Sequence, residues 1–89
     1  LDLPENPANY LPAQASISNG VLSATISNQS GMPLRNADVE FSAKINGEML
    51  RRVVTISSLQ KVAVVSSGWR ISDDDTVSNV AITVIRVRL

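Results

Sequence analysis

The 89-residue chain has no cysteine and no histidine. Without these residue types it cannot form a disulfide scaffold, the common structural zinc sites, or a catalytic triad that depends on histidine. It also has no long hydrophobic run, since the longest uninterrupted apolar stretch is the four residues 62–65. A transmembrane helix needs about 20 apolar residues, so we expect no direct membrane insertion.

Charge of one sign is not in excess, because eight basic residues balance eight acidic ones. No overall field therefore favours nucleic acid or an anionic membrane surface. Aromatic residues make up only 3% of the chain, too few for the stacking platforms that nucleic-acid binding requires. We expect no nucleic acid among the partners and, without histidine, cysteine or a carboxylate pair, no cofactor or metal.

The abundant residues indicate one all-β domain. Val, Ile and Thr together supply 22 residues, and these stiff side chains suit a pleated surface. Ser and Asn supply 19 more and favour turns by bonding to nearby backbone groups. Hydrophobic residues make up 44% of the chain, an ordinary share for a globular protein.

The first twelve residues differ in composition from the rest. Pro4, Pro7 and Pro12 each lack a backbone donor and favour extended geometry in the preceding residue. We therefore predict a proline-rich linker or N-terminal extension over residues 1–12. Within it, Tyr10 or Leu11 is the residue able to dock on the edge of the domain. The β-sandwich domain is predicted over residues 13–89. Since the chain starts at Leu rather than Met, we expect a processed or excised piece of a longer protein.

Two Asn-Gly pairs mark the predicted hairpins. Asn19-Gly20 separates alternating runs over 13–17 and 22–27, and Asn46-Gly47 follows the alternating strand 34–45. Both residue types accept the positive φ of a type I′ turn. The return strand 48–56 loses its alternation at Arg52, which predicts a bulge near Arg51-Arg52.

The second half of the chain predicts two further strands. Leu59 follows a Ser-Ser corner and is expected to plug the core, before a strand over 60–66. Residues 72–75 predict a polar turn, and the last strand covers about 77–89. Val80, Ile82 and Val84 are expected to face inward rather than Ala81, Thr83 and Ile85, while Leu89 falls on the latter face.

Six or seven strands with turn signals every 8 to 12 residues predict a single antiparallel β-sandwich of immunoglobulin-like type, without a helix longer than one turn. The expected core consists of alternating aliphatic residues with two aromatic ones: Ile17, Leu22, Ala24, Ile26, Val39, Phe41, Ile45, Leu50, Val54, Ile56, Leu59, Val62, Val64, Trp69, Ile82 and Val84.

Residues 22–31, Leu-Ser-Ala-Thr-Ile-Ser-Asn-Gln-Ser-Gly, resemble the Asn-x-Ser/Thr-Gly corner of small immunoglobulin-like domains of the FxLYD and CARDB type. Residues 33–48, 56–60 and Trp69 are similar to the strand, hairpin and later corner of these domains, so the resemblance covers about half the chain. The glycine expected after Leu59 and the aromatic-Leu-Tyr-Asp string are absent. The resemblance implies a non-catalytic accessory domain, usually of bacterial extracytoplasmic proteins or appended to enzymes.

Two short patterns imitate catalytic or metal sites. Ser58-Leu59-Gln60-Lys61 has the spacing of an S-x-x-K nucleophile, but it falls at a predicted β corner instead of a helix start. Residues 73–75 are three successive Asp, whose side chains cannot all face one calcium ion on an extended chain. We therefore predict that residues 58–61 are not a catalytic site and that the domain has no enzymatic activity. Residues 73–75 are predicted to form a solvated turn.

Arg51, Arg52, Arg86 and Arg88 form a possible interaction edge in the second half of the chain. Charged residues commonly protect exposed strand edges, and an acidic protein partner is the functional alternative. Asn28-Gln29-Ser30 is formally a glycosylation sequon, although we expect Asn28 to bond to the turn backbone. Trp69 is expected to be buried.

These patterns favour an interaction or spacer module in a larger, extracytoplasmic bacterial protein, located in the periplasm or cell envelope and partnered by other domains of its parent or by another protein. Such a module is expected to be monomeric in isolation. Two alternatives stay open: a subunit that self-assembles by β-strand addition, and the non-catalytic tail of an enzyme whose active site lies elsewhere.

Overall fold

The computed structural model describes residue 3 and residues 5–88, which form two antiparallel sheets of three strands. The strands are β1 (Ala13–Ser18), β2 (Val21–Ser27), β3 (Asn36–Ile45), β4 (Glu48–Ile56), β5 (Val62–Arg70) and β6 (Val77–Arg88). The strand order is β1-β2-β5 in the first sheet and β4-β3-β6 in the second. The predicted all-β sandwich is therefore confirmed, with six strands.

Among the described residues, the helical structure consists of one 3₁₀ turn, Pro7–Asn9. This agrees with the prediction that no helix is longer than one turn. No helix among the described residues has the length and apolar character needed to cross a bilayer.

Both Asn-Gly pairs form the hairpins that the sequence predicted. Asn19 and Gly20 have φ values of 52° and 75°, and Asn46 and Gly47 have values of 53° and 84°. Two successive positive φ values define the type I′ turn, whose twist matches that of the flanking strands. The β3–β4 register then runs without a shift from Ile45 opposite Glu48 to Ala37 opposite Ile56.

The core lies between the sheets and contains most of the expected residues. Leu59 is 1% exposed, which confirms its predicted role as a plug. The other confirmed buried residues are Leu22, Ala24, Ile26, Val39, Phe41 and Val84. The expected residues that are half-buried are Ile45, Leu50, Val54, Ile56, Trp69 and Ile82.

The prediction was wrong for Ile17, Val62 and Val64, which are 55%, 63% and 71% exposed. Residues 62–65 are apolar at both parities, so alternation within the strand cannot select its inner face. The pairing with β2 makes the selection, because residues directly opposite share a face. Val65 lies opposite the buried Ala24 and points inward, whereas Val64 lies opposite Thr25 on the outer face.

Two register shifts in β6 change which of its residues face the core. Val84 pairs with Val39 and Arg86 with Asp38, so Ile85 is an extra residue in the ladder. This bulge turns Val87 inward. Val80, expected inward, is 38% exposed beside Asn79, whose φ is +53°. The predicted position of Leu89 lies outside the described residues.

β4 has no bulge at Arg51-Arg52, contrary to the prediction. Arg52 lies opposite the buried Phe41 and therefore occupies an inward position of the alternation. A charged residue is tolerated there because β4 is an edge strand, from which a long side chain can extend past the apolar core.

The described part of the segment predicted as a linker packs on the sandwich. Leu3, Pro7 and Leu11 are buried, and Leu3 and Leu11 belong to the main hydrophobic core. The carbonyls of Tyr10 and Pro12 accept hydrogen bonds from the amides of Gln29 and Ser27. The prediction concerning Pro4 lies outside the described residues.

Candidate interaction surface

The four arginines of the predicted interaction edge do not form one cluster. Arg51 on β4 and Arg86 on β6 lie at opposite edges of the second sheet, with β3 between them. Arg52 occupies an inward position of β4, and Arg88 lies near the end of β6 opposite Asn36. The structure therefore places these side chains in three environments: Arg51 on the outer face of β4, Arg52 at an inward position of β4, and Arg86 with Arg88 at the end of β6.

The outer face of the second sheet carries two ion pairs centred on β3. Arg51 Nη2 lies 2.7 Å from Glu40 Oε2, and Arg86 Nη1 lies 2.9 Å from Asp38 Oδ2. The Thr55 hydroxyl donates a 2.6 Å hydrogen bond to the second oxygen of Asp38. Both oxygens of this carboxylate are thus held in place, one from each neighbouring strand.

A groove of about 310 Å³ lies beside this pair at the end of the sheet. Its lining residues are Asn36, Asp38, Thr55, Arg86, Val87 and Arg88. Arg88 is exposed and makes no side-chain hydrogen bond within the described part of the chain. Two guanidinium groups against one carboxylate leave the groove with an excess of positive charge. We call these six residues the Arg88 groove.

Arg52 connects the two sheets on the other side of the molecule. Its Nη1 donates a 2.7 Å hydrogen bond to the Ser67 carbonyl, and its guanidinium carbon lies 5.4 Å from the centroid of the Trp69 ring. Gly68 makes this approach possible, because a Cβ there would lie 2.8 Å from Arg52 Nη1. Arg52 therefore acts structurally, and Trp69 is half-buried beneath it.

The two patterns that imitated chemical sites have ordinary surroundings. Ser58 and Lys61 are exposed on the connection between β4 and β5, with no helix to align them. Asp75 accepts a hydrogen bond from the Ser72 amide within the β5–β6 loop, and a second one from the Asn46 side chain joins this loop to the hairpin tip. Among the described residues, no three potential metal ligands cluster together.

Asn28 bonds to the turn backbone, as expected from the sequence. Its Nδ2 lies 2.6, 3.0 and 2.9 Å from the carbonyl oxygens of Met32, Leu59 and Gln60, and its Oδ1 accepts from the amide and hydroxyl of Ser30. One side chain thus joins the loop after β2 to the connection before β5.

The sequence did not identify Asn36, Asp38 and Thr55 as site residues. Asp38 and Thr55 lie on the polar sides of their strands, and this pattern indicated only exposure. Their contact depends on the β3–β4 register, which places them directly opposite each other. The available signal was the hairpin turn at Asn46-Gly47: in a strand pair without a bulge, equal steps from this turn lead to Asp38 and Thr55. The bulge predicted at Arg51-Arg52 concealed this pairing.

We expect the stability of the domain to fall in acid through Asp38. The Thr55 hydrogen bond, together with that of Arg86, holds the pKa of the Asp38 carboxyl below its ordinary value of 3.8. The folded state then binds fewer protons than the unfolded state, so this stabilisation is complete above about pH 5 and is lost as pH falls through the lowered pKa. Urea unfolding between about pH 5 and 2.5 measures the loss, and Asp38→Asn should flatten the curve.

The matched control is Asp73→Asn, at an exposed position without a described hydrogen bond. This variant should keep the acid dependence of the original protein. Equal flattening in both variants would contradict the assignment to Asp38.

Comparison of the chain with protein-family models, with curated proteins and with solved structures gave no match.

Proposed function

We propose that this chain is a non-catalytic, immunoglobulin-like accessory domain of a larger protein and that it binds an acidic segment of a partner protein or neighbouring domain through the Arg88 groove. The observation that carries the proposal is the net-positive groove between the start of β3 and the end of β6. The extracytoplasmic bacterial setting is what the resemblance to FxLYD and CARDB domains implies.

The groove favours a carboxylate ligand for electrostatic and geometric reasons. Arg86 is already oriented by Asp38, while its remaining donors and those of Arg88 are free to meet a new acceptor. A guanidinium presents donors in a planar fork that matches the two oxygens of a carboxylate. A volume of about 310 Å³ suits one or two side chains of an extended segment better than a large cofactor.

A non-catalytic role is consistent with the hydrogen bonds of three acidic residues. Asp38, Glu40 and Asp75 each accept hydrogen bonds from neighbouring side chains or backbone groups. A general acid or base needs a carboxylate that can exchange a proton with a substrate. These three groups instead connect neighbouring strands of the second sheet and hold the β5–β6 loop.

We expect a ten-residue oligoglutamate peptide to bind the isolated domain and a ten-residue oligolysine peptide not to bind. Amide NMR shifts on titration should change at Asn36, Asp38, Thr55, Arg86 and Arg88. Arg88→Glu should weaken binding at least about tenfold, because it replaces the guanidinium with a carboxylate that repels the negatively charged peptide.

The control for net charge is Arg70→Glu, which makes the same change at an exposed position of β5. This variant should bind the peptide almost as well as the original protein. Equal weakening by both variants, or shift changes spread over the whole surface, would show a nonspecific charge effect and contradict a role for the groove.

A further inference from the structure

Each sheet of the sandwich has two edge strands, and three of these four strands have features that hinder pairing with another chain. β6 contains two register shifts, and β5 contains an irregularity around Gly68 where it pairs with β2. β4 carries Arg51 and Arg52, the second of which extends across to β5. Bulges and charged side chains are the usual means by which proteins protect exposed strand edges.

β1 has none of these features. Its residues, Ala-Gln-Ala-Ser-Ile-Ser, include no charge and no proline, and its register with β2 runs without a shift from Ala13 to Ser18. Residues 14–18 are all exposed. Ile17 occupies an inward position of the alternation, opposite the buried Leu22, yet is 55% exposed because no strand covers it beyond β1.

The absence of charge extends well beyond this strand. Residues 6–34, which include β1 and β2 entirely, contain no Asp, Glu, Lys or Arg. All charged residues of the described strands therefore lie on β3 to β6. Two copies of the chain can bring their β1 edges together without like-charge repulsion across the contact.

The hairpin geometry defines which backbone groups of β1 are free. In a two-residue hairpin the closing pair, Ser18 and Val21, is hydrogen-bonded, and bonded pairs then alternate with non-bonded ones. The Ser27 amide donates a hydrogen bond to the Pro12 carbonyl, as this alternation requires for the pair Pro12 and Ser27. Ala13, Ala15 and Ile17 therefore direct their N–H and C=O groups away from β2, toward the open edge.

We propose that β1 pairs antiparallel with β1 of a second copy of this chain, with Ala15 on the two-fold axis. Ala13 then lies opposite Ile17 of the second copy, and the three pairs of free residues form about six backbone hydrogen bonds. On the inner side each Ile17 lies opposite a small alanine, and on the outer side Gln14 lies opposite Ser16. The two sheets join into a continuous six-stranded sheet.

This pairing uses a surface different from the Arg88 groove and does not depend on it. Six residues per strand form a small contact, below the area of a standard stable interface. We therefore expect the isolated domain to be monomeric at about 10 µM and to associate toward about 1 mM. Copies held close together would pair at far lower bulk concentration.

Amide NMR spectra of the domain without peptide, recorded from about 20 µM to about 1 mM, test the proposal. Concentration-dependent shifts are expected at Ala13, Ala15 and Ile17. Ala15→Pro removes an outward N–H without removing a bond to β2, so the fold should persist while the dissociation constant rises at least about tenfold.

The matched control is Val53→Pro, which removes an outward N–H from the β4 edge and should leave the association unchanged. Ser16→Lys places a charge on the outer side of β1 and provides a second blocking variant if Ala15→Pro does not fold. Absence of concentration dependence, shifts at β4 or β6 instead of β1, or association that survives both β1 variants would overturn the proposal. None of these outcomes affects peptide binding by the groove.

Discussion

Replacing both Leu3 and Leu11 with alanine is expected to lower the free energy of unfolding by about 4–8 kcal/mol, because burial of each leucine is worth about 2–4 kcal/mol in a well-packed core. Leu3 is fully buried and Leu11 is 2% exposed. Small domains have a total stability of about 5–15 kcal/mol, so this change removes most of it. Urea or thermal unfolding followed by circular dichroism measures the loss.

The same experiment distinguishes a built-in segment from a linker. Glu5→Ala, at an exposed position between the two leucines, is the control and should change stability by less than about 0.5 kcal/mol. If residues 1–12 only connected this domain to another, the double leucine variant would be as stable as the control. That result would contradict the packing of Leu3 and Leu11 in the core.

Asn28→Asp is expected to lower the free energy of unfolding by about 3 kcal/mol, a large effect for the replacement of one NH₂ group by an oxygen. The substitution keeps the shape of the side chain but replaces the Nδ2 donor with a carboxylate oxygen. That oxygen would face the carbonyls of Met32, Leu59 and Gln60, which then lose their shared donor. Two loops far apart in the sequence would lose the side chain that joins them.

Asn9→Asp makes the same chemical change at an exposed position and serves as the control. Its midpoint of thermal unfolding should stay close to that of the original protein. If the two variants unfolded at the same temperature, the hydrogen bonds of the Asn28 side chain would contribute little, and the corner would be held by the packing and backbone hydrogen bonds of Leu34 and Leu59.

The predictions that succeeded from sequence were local ones. Asn-Gly pairs accept positive φ values, so the two hairpins and their type I′ geometry were readable from two residues each. The β3–β4 register continues from its turn to Asp38 opposite Thr55. The sequence did not predict this pair, because the bulge expected at Arg51-Arg52 would have shifted it out of register. The absence of charge in β1 is also visible in the sequence.

The positions of the candidate site needed the tertiary structure. Arg86 reaches Asp38 because β6 pairs with β3, a contact between residues 48 positions apart. Arg52 broke the alternation of its strand, and only the position of β5 shows that its guanidinium bonds to the Ser67 carbonyl and lies over Trp69. The four arginines appeared as one group in the sequence because sequence order does not show which strands share a sheet.

The sequence by itself determined the all-β class, the two hairpins, the inner face of β3 and the plug at Leu59, because each depends on backbone preferences and alternation within a few residues. The tertiary structure decided which face of β5 is buried, where the bulge turns Val87 inward, and that Leu3 and Leu11 complete the core. These outcomes depend on neighbours from distant parts of the chain. A strand that is apolar on both faces, or a proline-rich segment containing two leucines, permits either burial or exposure until the surface beside it is known.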